Sequence, residues 1–122
     1  MRALFHITSA EEARDAVRVG IYAPRAFEAE GFIHCSYSRQ VCDVANRMFS
    51  GRSDLVLLEI DRTKLTCEVI DENLEGGPEL FPHIYGRLPV GAVVKIHRFP
   101  CGGAGRFDLP ETVTKTSTAG AA

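Results

Sequence analysis

The apolar residues of this chain fall in short runs separated by polar and glycine-containing stretches, and their spacing predicts a strand, a helix, a strand, a helix and then several strands. The first run, from Leu4 to Ile7, is a brief strand that stops at Thr8-Ser9. Ser9 and Glu12 form the S-x-x-E box that opens a helix, which should run to about Arg18 with Gly20 as its C-terminal stop. A loop containing Pro24 and one short helical turn over 25–30 lead to a second strand, Gly31-Phe32-Ile33-His34-Cys35. Ser36 or Ser38 is then placed to cap a second helix. Its apolar residues Val41, Val44, Ala45, Met48 and Phe49 recur at i, i+3, i+4, i+7 and i+8, one face of an α-helix, and Gly51 ends it.

The run Leu55-Val56-Leu57-Leu58-Glu59-Ile60 is too short for a typical helix and almost uniformly apolar, so it is predicted to be a central strand covered on both faces. A turn over 61–64, a strand over 66–70 and a polar loop over 71–78 follow, and then two strands over 80–85 and 90–99 joined through Gly86-Arg87-Leu88-Pro89. The pattern as a whole predicts an α+β fold with a mixed, split β-sheet and two or three flanking helices. After Pro100 the chain turns to glycine, threonine, serine and alanine, so residues 1–100 are expected to form the domain. Residues 101–122 are expected to form a flexible tail, frayed from roughly residue 110.

At 122 residues, 45% hydrophobic and 25% charged, the chain suits one compact domain and excludes a fibrous or wholly disordered protein. No run approaches the ~18 apolar residues of a membrane span, and the N-terminus lacks the long apolar core of a secretory signal, so a cytoplasmic protein without membrane partners is expected. The 14 basic residues are scattered and outnumbered by 16 acidic ones, which disfavours nucleic acid as a partner. Four cysteines, at 35, 42, 67 and 101, form no C-x-x-C pair and are expected to be reduced thiols. The histidines form no H-x-x-x-H or H-E-x-x-H motif, so no metal is expected. Gly102, Gly103 and Gly105 are followed by neither G-K-[ST] nor a helix, which argues against a phosphate loop.

Candidate chemistry lies in the strands, where alternation decides which side chains share a face. His6 and Thr8 point with Leu4, away from Phe5 and Ile7; Phe32, His34 and Ser36 share a face opposite Ile33 and Cys35; Glu79, Phe81, His83 and Tyr85 share a third. If these strands are neighbours, imidazoles, a phenol, hydroxyls and a carboxylate converge on one cleft. Cys35 faces away from His34, a poor arrangement for a nucleophile pair. His97 alternates with Lys95 and is expected on a solvated face.

The segments Leu4-Phe5-His6-Ile7-Thr8, Gly31-Phe32-Ile33-His34-Cys35-Ser36, Val44-Ala45-Asn46-Arg47, Asp54-Leu55-Val56-Leu57-Leu58 and Glu79-Leu80-Phe81-Pro82-His83-Ile84-Tyr85-Gly86, in this order, resemble the small bacterial domain-of-unknown-function 952 family over about residues 4 to 98. The resemblance implies a fold near the ADP-ribosyltransferases, whose split sheet grips NAD, and hence a nucleotide cleft with NAD as candidate cofactor. By that analogy His6 binds the adenosine-side ribose, and His34 with Ser36 packs on the nicotinamide side. Glu79 stabilises an oxocarbenium-like sugar, and His83 and Tyr85 supplement it. Thr8, Tyr22 and Asn46 are further candidates for lining the cleft. Gly77 and Phe81 stand two positions either side of Glu79, so the Q-x-E or E-x-E pair of the transferases is missing.

Two other readings stay open. His6-Ile7-Thr8 and His34-Cys35-Ser36 resemble the paired H-x-[TS] motifs of two-histidine phosphoesterases, where imidazoles serve as acid and base on a 2',3'-cyclic phosphate. A non-catalytic module could use the same cleft for a nucleotide, a metabolite or a protein partner. A small-molecule ligand is the expected occupant in the two enzymatic readings, and no residue specifies a protein acceptor.

Overall fold

In the computed structural model, which describes residues 3–74 and 76–113, β1 (Leu4–Ser9) passes directly into α1 (Ala10–Val19). Ser9 closes the strand and caps the helix, its Oγ accepting from the Glu12 backbone N–H at 3.0 Å. Glu11 and Glu12 in the first turn complement the helix dipole. Gly20, at φ +97°, ends the helix in the left-handed conformation that its position favours. There follow β2 (Ile21–Tyr22), α2 (Phe27–Glu30), β3 (Ile33–His34), α3 (Val41–Met48), β4 (Leu55–Ile60), β5 (Glu68–Glu72), β6 (Phe81–Tyr85), β7 (Leu88–Pro89) and β8 (Val93–Arg98).

The strands form three small sheets, ordered β1-β4-β8, β2-β7 and β3-β6-β5. The α+β class and the split are as the pattern predicts, but the expected mixed pairing is not: every strand pair among the described residues is antiparallel. A parallel pair needs a crossover that returns to its own sheet. Here α1 and α3 instead connect strands of different sheets. The first and third sheets are stitched by a single bridge, Phe5 to Ser36, with reciprocal N–H to O contacts of 2.8 Å.

β4 is central and covered on both faces, as expected. Leu58 and Ile60 pack with Leu4, Ile33, Ile84 and Leu88. Leu55 and Leu57 pack on the opposite side with Phe5, Val41, Ala45 and Phe99. Burying a strand on both faces supplies the apolar area from which most of the folding free energy derives.

Several expectations are corrected. Neither Ser36 nor Ser38 caps α3; Gln40 occupies the cap position without a side-chain cap bond. Ser36 is committed to the bridge with Phe5, and Gln40 Oε1 accepts from the Tyr37 N–H at 3.0 Å. Only Ile33 and His34 of the second predicted strand are paired as β3, while Gly31 adopts φ +81° as the stop of α2. The strand expected over 66–70 lies at Glu68–Glu72, so two acidic residues assigned to a loop belong to the sheet. Val90–Ala92 forms a 3-10 turn before β8 begins.

The segment expected to be a tail packs onto the domain through residue 113. Phe107 and Val113 are buried against Phe99 and Leu57, and Asn46 Oδ1 accepts from the Phe107 N–H at 2.7 Å. Three apolar side chains spaced along 107–113, Phe107, Leu109 and Val113, suffice to dock an otherwise polar stretch. Residues 114–122, the remainder of the predicted tail, lie outside the described residues. His97 is correspondingly buried rather than solvated: its Nε2 lies 2.7 Å from Glu59 Oε1 and its Nδ1 2.7 Å from Thr112 Oγ1.

Candidate functional site

The lone bridge at Phe5 and Ser36 sets the site. Pairing between β1 and the β3 segment stops there, and the side chains on either side of the stop line a cleft of about 290 Å³. His6 and Thr8 enter it from β1, Tyr22 from β2, and His34 and Ser36 from β3 and its extension. Val44, Met48, Phe49 and Phe81 supply apolar wall, while Arg25, Arg47 and Arg52 bring positive charge and Glu12 and Glu30 negative charge. All three arginines are largely exposed. Arg52 is held in a two-pronged ion pair with Asp54.

His6 is the buried end of a polar chain. Its Nδ1 lies 2.6 Å from the His34 carbonyl oxygen and its Nε2 2.7 Å from Tyr22 Oη. Tyr22 Oη lies 3.1 Å from Thr8 Oγ1, which in turn lies 3.1 Å from Glu12 Oε2. A carbonyl only accepts, so Nδ1 carries a hydrogen and Nε2 of the neutral ring is left as an acceptor. Burial brings the imidazole down from 6.5 to about 4, although the His34 carbonyl and the Glu12 charge act against it. The same desolvation pushes the Tyr22 phenol and the Cys35 thiol up, which leaves both protonated at neutral pH.

This shift makes a stability prediction. Between the unfolded value of 6.5 and the folded value of about 4, the unfolded chain binds a proton at His6 that the folded chain does not. Stability is therefore lost as pH falls through that window and levels off below it, by about 3 kcal/mol in all. Urea unfolding at about pH 7 and about pH 4 should show a drop smaller by roughly that amount in His6→Gln. Equal drops in the two proteins would refute it.

A second cluster backs the cleft. His34 and His83 are directly opposed across β3 and β6, with their rings edge to face at 4.8 Å. Phe32 stacks on His83 at 4.4 Å and meets the His34 ring edge at 4.8 Å. His34 reaches the cleft, where its Nε2 lies 3.5 Å from Glu30 Oε2. His83 is buried, with Nδ1 2.8 Å from Glu72 Oε2. The Tyr85 hydroxyl donates to the same Glu72 oxygen. Tyr85 and His83 hold the Glu72 carboxyl below the usual carboxylate range, and the Tyr85 phenol is pushed up in return.

Of the predicted residues, His6, Thr8, Tyr22, His34 and Ser36 are thus brought together. His83 and Tyr85 lie behind them, outside the cleft wall. Glu79 is elsewhere, 3.0 Å from Arg39 Nη1 and 3.1 Å from Gln40 Nε2, and Gln40 and Arg39 hold its carboxyl low. β6 begins only at Phe81, so the alternation that aligned Glu79 with His83 does not extend to it. Asn46 clamps the Phe107 backbone rather than lining the cleft. Sequence reasoning missed Glu12, Glu30, Glu72 and the three arginines. The capping position of Glu12 accounts for it in the sequence, although its place four residues after Thr8 is also a signal. Among the described residues, no three His, Cys, Asp or Glu side chains gather as metal ligands would, and no helix is long and apolar enough to cross a membrane.

The family described as Protein of unknown function (DUF952) matches residues 7–96, and the chain belongs to it. The fold is similar to that of protein CC0527 from Caulobacter crescentus. Against its crystal structure the TM-score is 0.81 at 28% identity, covering 92% of this chain and 98% of that one. Against its solution NMR structure the TM-score is 0.77 at 30% identity, covering 87% and 91%. No curated protein matches.

Proposed function

We propose that this member of the DUF952 family binds a phosphorylated, nucleotide-like small molecule in the cleft, with NAD or ADP-ribose as the ligand class. The observation that carries this reading is the convergence of His6, Thr8, Tyr22, His34 and Ser36 on one cleft that also holds Arg25 and Arg47. Guanidinium groups suit phosphate oxygens, hydroxyls and imidazole suit a ribose, and the wall of Val44, Met48, Phe49 and Phe81 suits a base. At about 290 Å³ the cleft lies at the lower edge of small-molecule pockets. It encloses one nucleoside or ribose-phosphate moiety and leaves the rest of the ligand along the exposed arginines.

The enzymatic form of this reading is transfer of ADP-ribose from NAD, which asks for a carboxylate near the ribose to stabilise developing positive charge. Glu30, beside His34, is the cleft residue suited to it, and it replaces Glu79 in that role. The phosphoesterase reading asks His6 to act directly on a phosphate. Both its ring nitrogens are already engaged, by the His34 carbonyl and by Tyr22, which argues against that reading and leaves His34 as the imidazole that would face a ligand.

A thermal-shift titration with NAD, ADP-ribose and 2',3'-cyclic nucleotides tests the proposal. Ligand at about 100 times Kd adds roughly 2.7 kcal/mol to the folded state. NAD or ADP-ribose is expected to raise Tm in the wild type, and His34→Ala to lose the rise. A shift with cyclic nucleotides alone would transfer support to the phosphoesterase, and no shift with NAD or ADP-ribose would overturn the proposal.

A further inference from the structure

The chain from His6 to Glu12 contains a mismatch between contacts and protons. Three polar contacts run in series, His6 Nε2 to Tyr22 Oη, Tyr22 Oη to Thr8 Oγ1, and Thr8 Oγ1 to Glu12 Oε2. Each needs one hydrogen. The His6 hydrogen on Nδ1 is spent on the His34 carbonyl, and each hydroxyl brings one hydrogen, so a neutral ring and a carboxylate leave two hydrogens for three contacts. One added proton completes the series in either of two ways. With the proton on Glu12, every link donates toward His6. With it on His6 Nε2, every link donates toward Glu12. The two arrangements interconvert by hydrogen transfer along the chain with no heavy-atom movement.

Resting on the nucleotide-binding reading above, we propose that Glu12, Thr8, Tyr22 and His6 form a proton relay that loads one proton from solvent onto the buried imidazole when an anion occupies the cleft, so that the site takes up its ligand and a proton together. Glu12, which is exposed, accepts the proton from water. It passes a proton to Thr8 Oγ1 as the Thr8 hydrogen moves to Tyr22 Oη and the Tyr22 hydrogen moves to His6 Nε2. Glu12 ends as a carboxylate, each hydroxyl keeps one hydrogen, and the imidazolium gains one. The titratable groups around the ring are Glu12 from α1, Tyr22 from β2, His34 from β3 and Cys35 directly after it. β4 presents Leu58 opposite it. Among the titratable groups the Glu12 charge favours a positive ring and the His34 charge opposes it, and an anion in the cleft beside the ring adds a second negative charge that favours the imidazolium.

Imidazole 15N NMR on the free protein separates a relay from a through-space charge effect. In Glu12→Gln the amide donates to Thr8 and completes the series with a neutral ring, so protonated His6 at about pH 5 should fall about five- to tenfold, the equilibrium weight of one hydrogen bond. In a Tyr22→Phe background the same change should have a clearly smaller effect, only that of removing the Glu12 charge. An equal fall in both backgrounds would overturn the relay. Thr8→Val breaks the series one link further out and should give the same result, which covers the case of Tyr22→Phe failing to fold. Calorimetry of ADP-ribose binding at about pH 5.5, in buffers of different ionisation enthalpy, should show proton uptake approaching one in the wild type and near zero in Tyr22→Phe. Binding without uptake would overturn the coupling. No binding would sink the nucleotide reading, and the NMR cycle alone would then decide the relay.

Discussion

Phe107→Ala is expected to destabilise the protein by about 3–5 kcal/mol, the usual cost of emptying a buried phenylalanine site. Phe107 is 2% exposed and tilts against Phe99 with ring centroids 4.8 Å apart. Asn46 holds both its backbone N–H and its carbonyl. Since α3 packs through Val41 and Ala45 in the same cluster as Leu55, Leu57 and Phe99, it cannot close into the space without giving up those contacts. Tm should fall by roughly 10–20 °C for a chain of this size. Urea unfolding measures the free energy directly, and a loss under about 1 kcal/mol would show that the segment after Pro100 contributes little to the fold.

Glu59→Ala is expected to cost a similar amount, about 3–5 kcal/mol, for a different reason. The His97 side chain is 0% exposed and that of Glu59 3%, so each is the other's replacement for water. Removing the carboxylate strands His97 Nε2 in an apolar interior; the loss arises from the orphaned partner more than from any net attraction within the pair. The double replacement Glu59→Leu with His97→Leu should therefore recover most of the loss. If the double variant is as unstable as Glu59→Ala, the orphaned imidazole is not the cause.

Both predictions concern residues whose setting the sequence concealed. The S-x-x-E box at Ser9, the stop at Gly20, the helical spacing from Val41 to Ala45 and the apolar run of β4 are local signals, and the structure follows them. The pairing of Ile21–Tyr22 with Leu88–Pro89 was invisible because two residues carry no periodicity. The burial of His97 depends on residues contributed by 107–113, a stretch whose composition is mostly polar. In the site, alternation puts His6 on one face with Thr8, and both meet Tyr22 Oη, but Cys35, which alternation puts on the face opposite His34, also lines the cleft. It fails for Glu79, which precedes its strand, and it gives no hint of Glu72, whose polar neighbours Asp71 and Asn73 resemble a loop although it ends β5.

The order of strands in the largest sheet governs how the chain can fold during synthesis. β1 stands at the start, β4 in the middle and β8 near the end, and each pairs only with a strand far along the chain. At about 5–20 residues per second, the ribosome releases β1 several seconds before β4 exists to cover it. His6 and Thr8 therefore spend that interval in water on an unpaired strand, and the cleft cannot take shape until the last third of the chain has emerged. Such non-local pairing sets refolding in the millisecond-to-second range. It also makes the exposed apolar edge at Val94 and Ile96, on the last strand to join, the place where neighbouring nascent chains would first adhere.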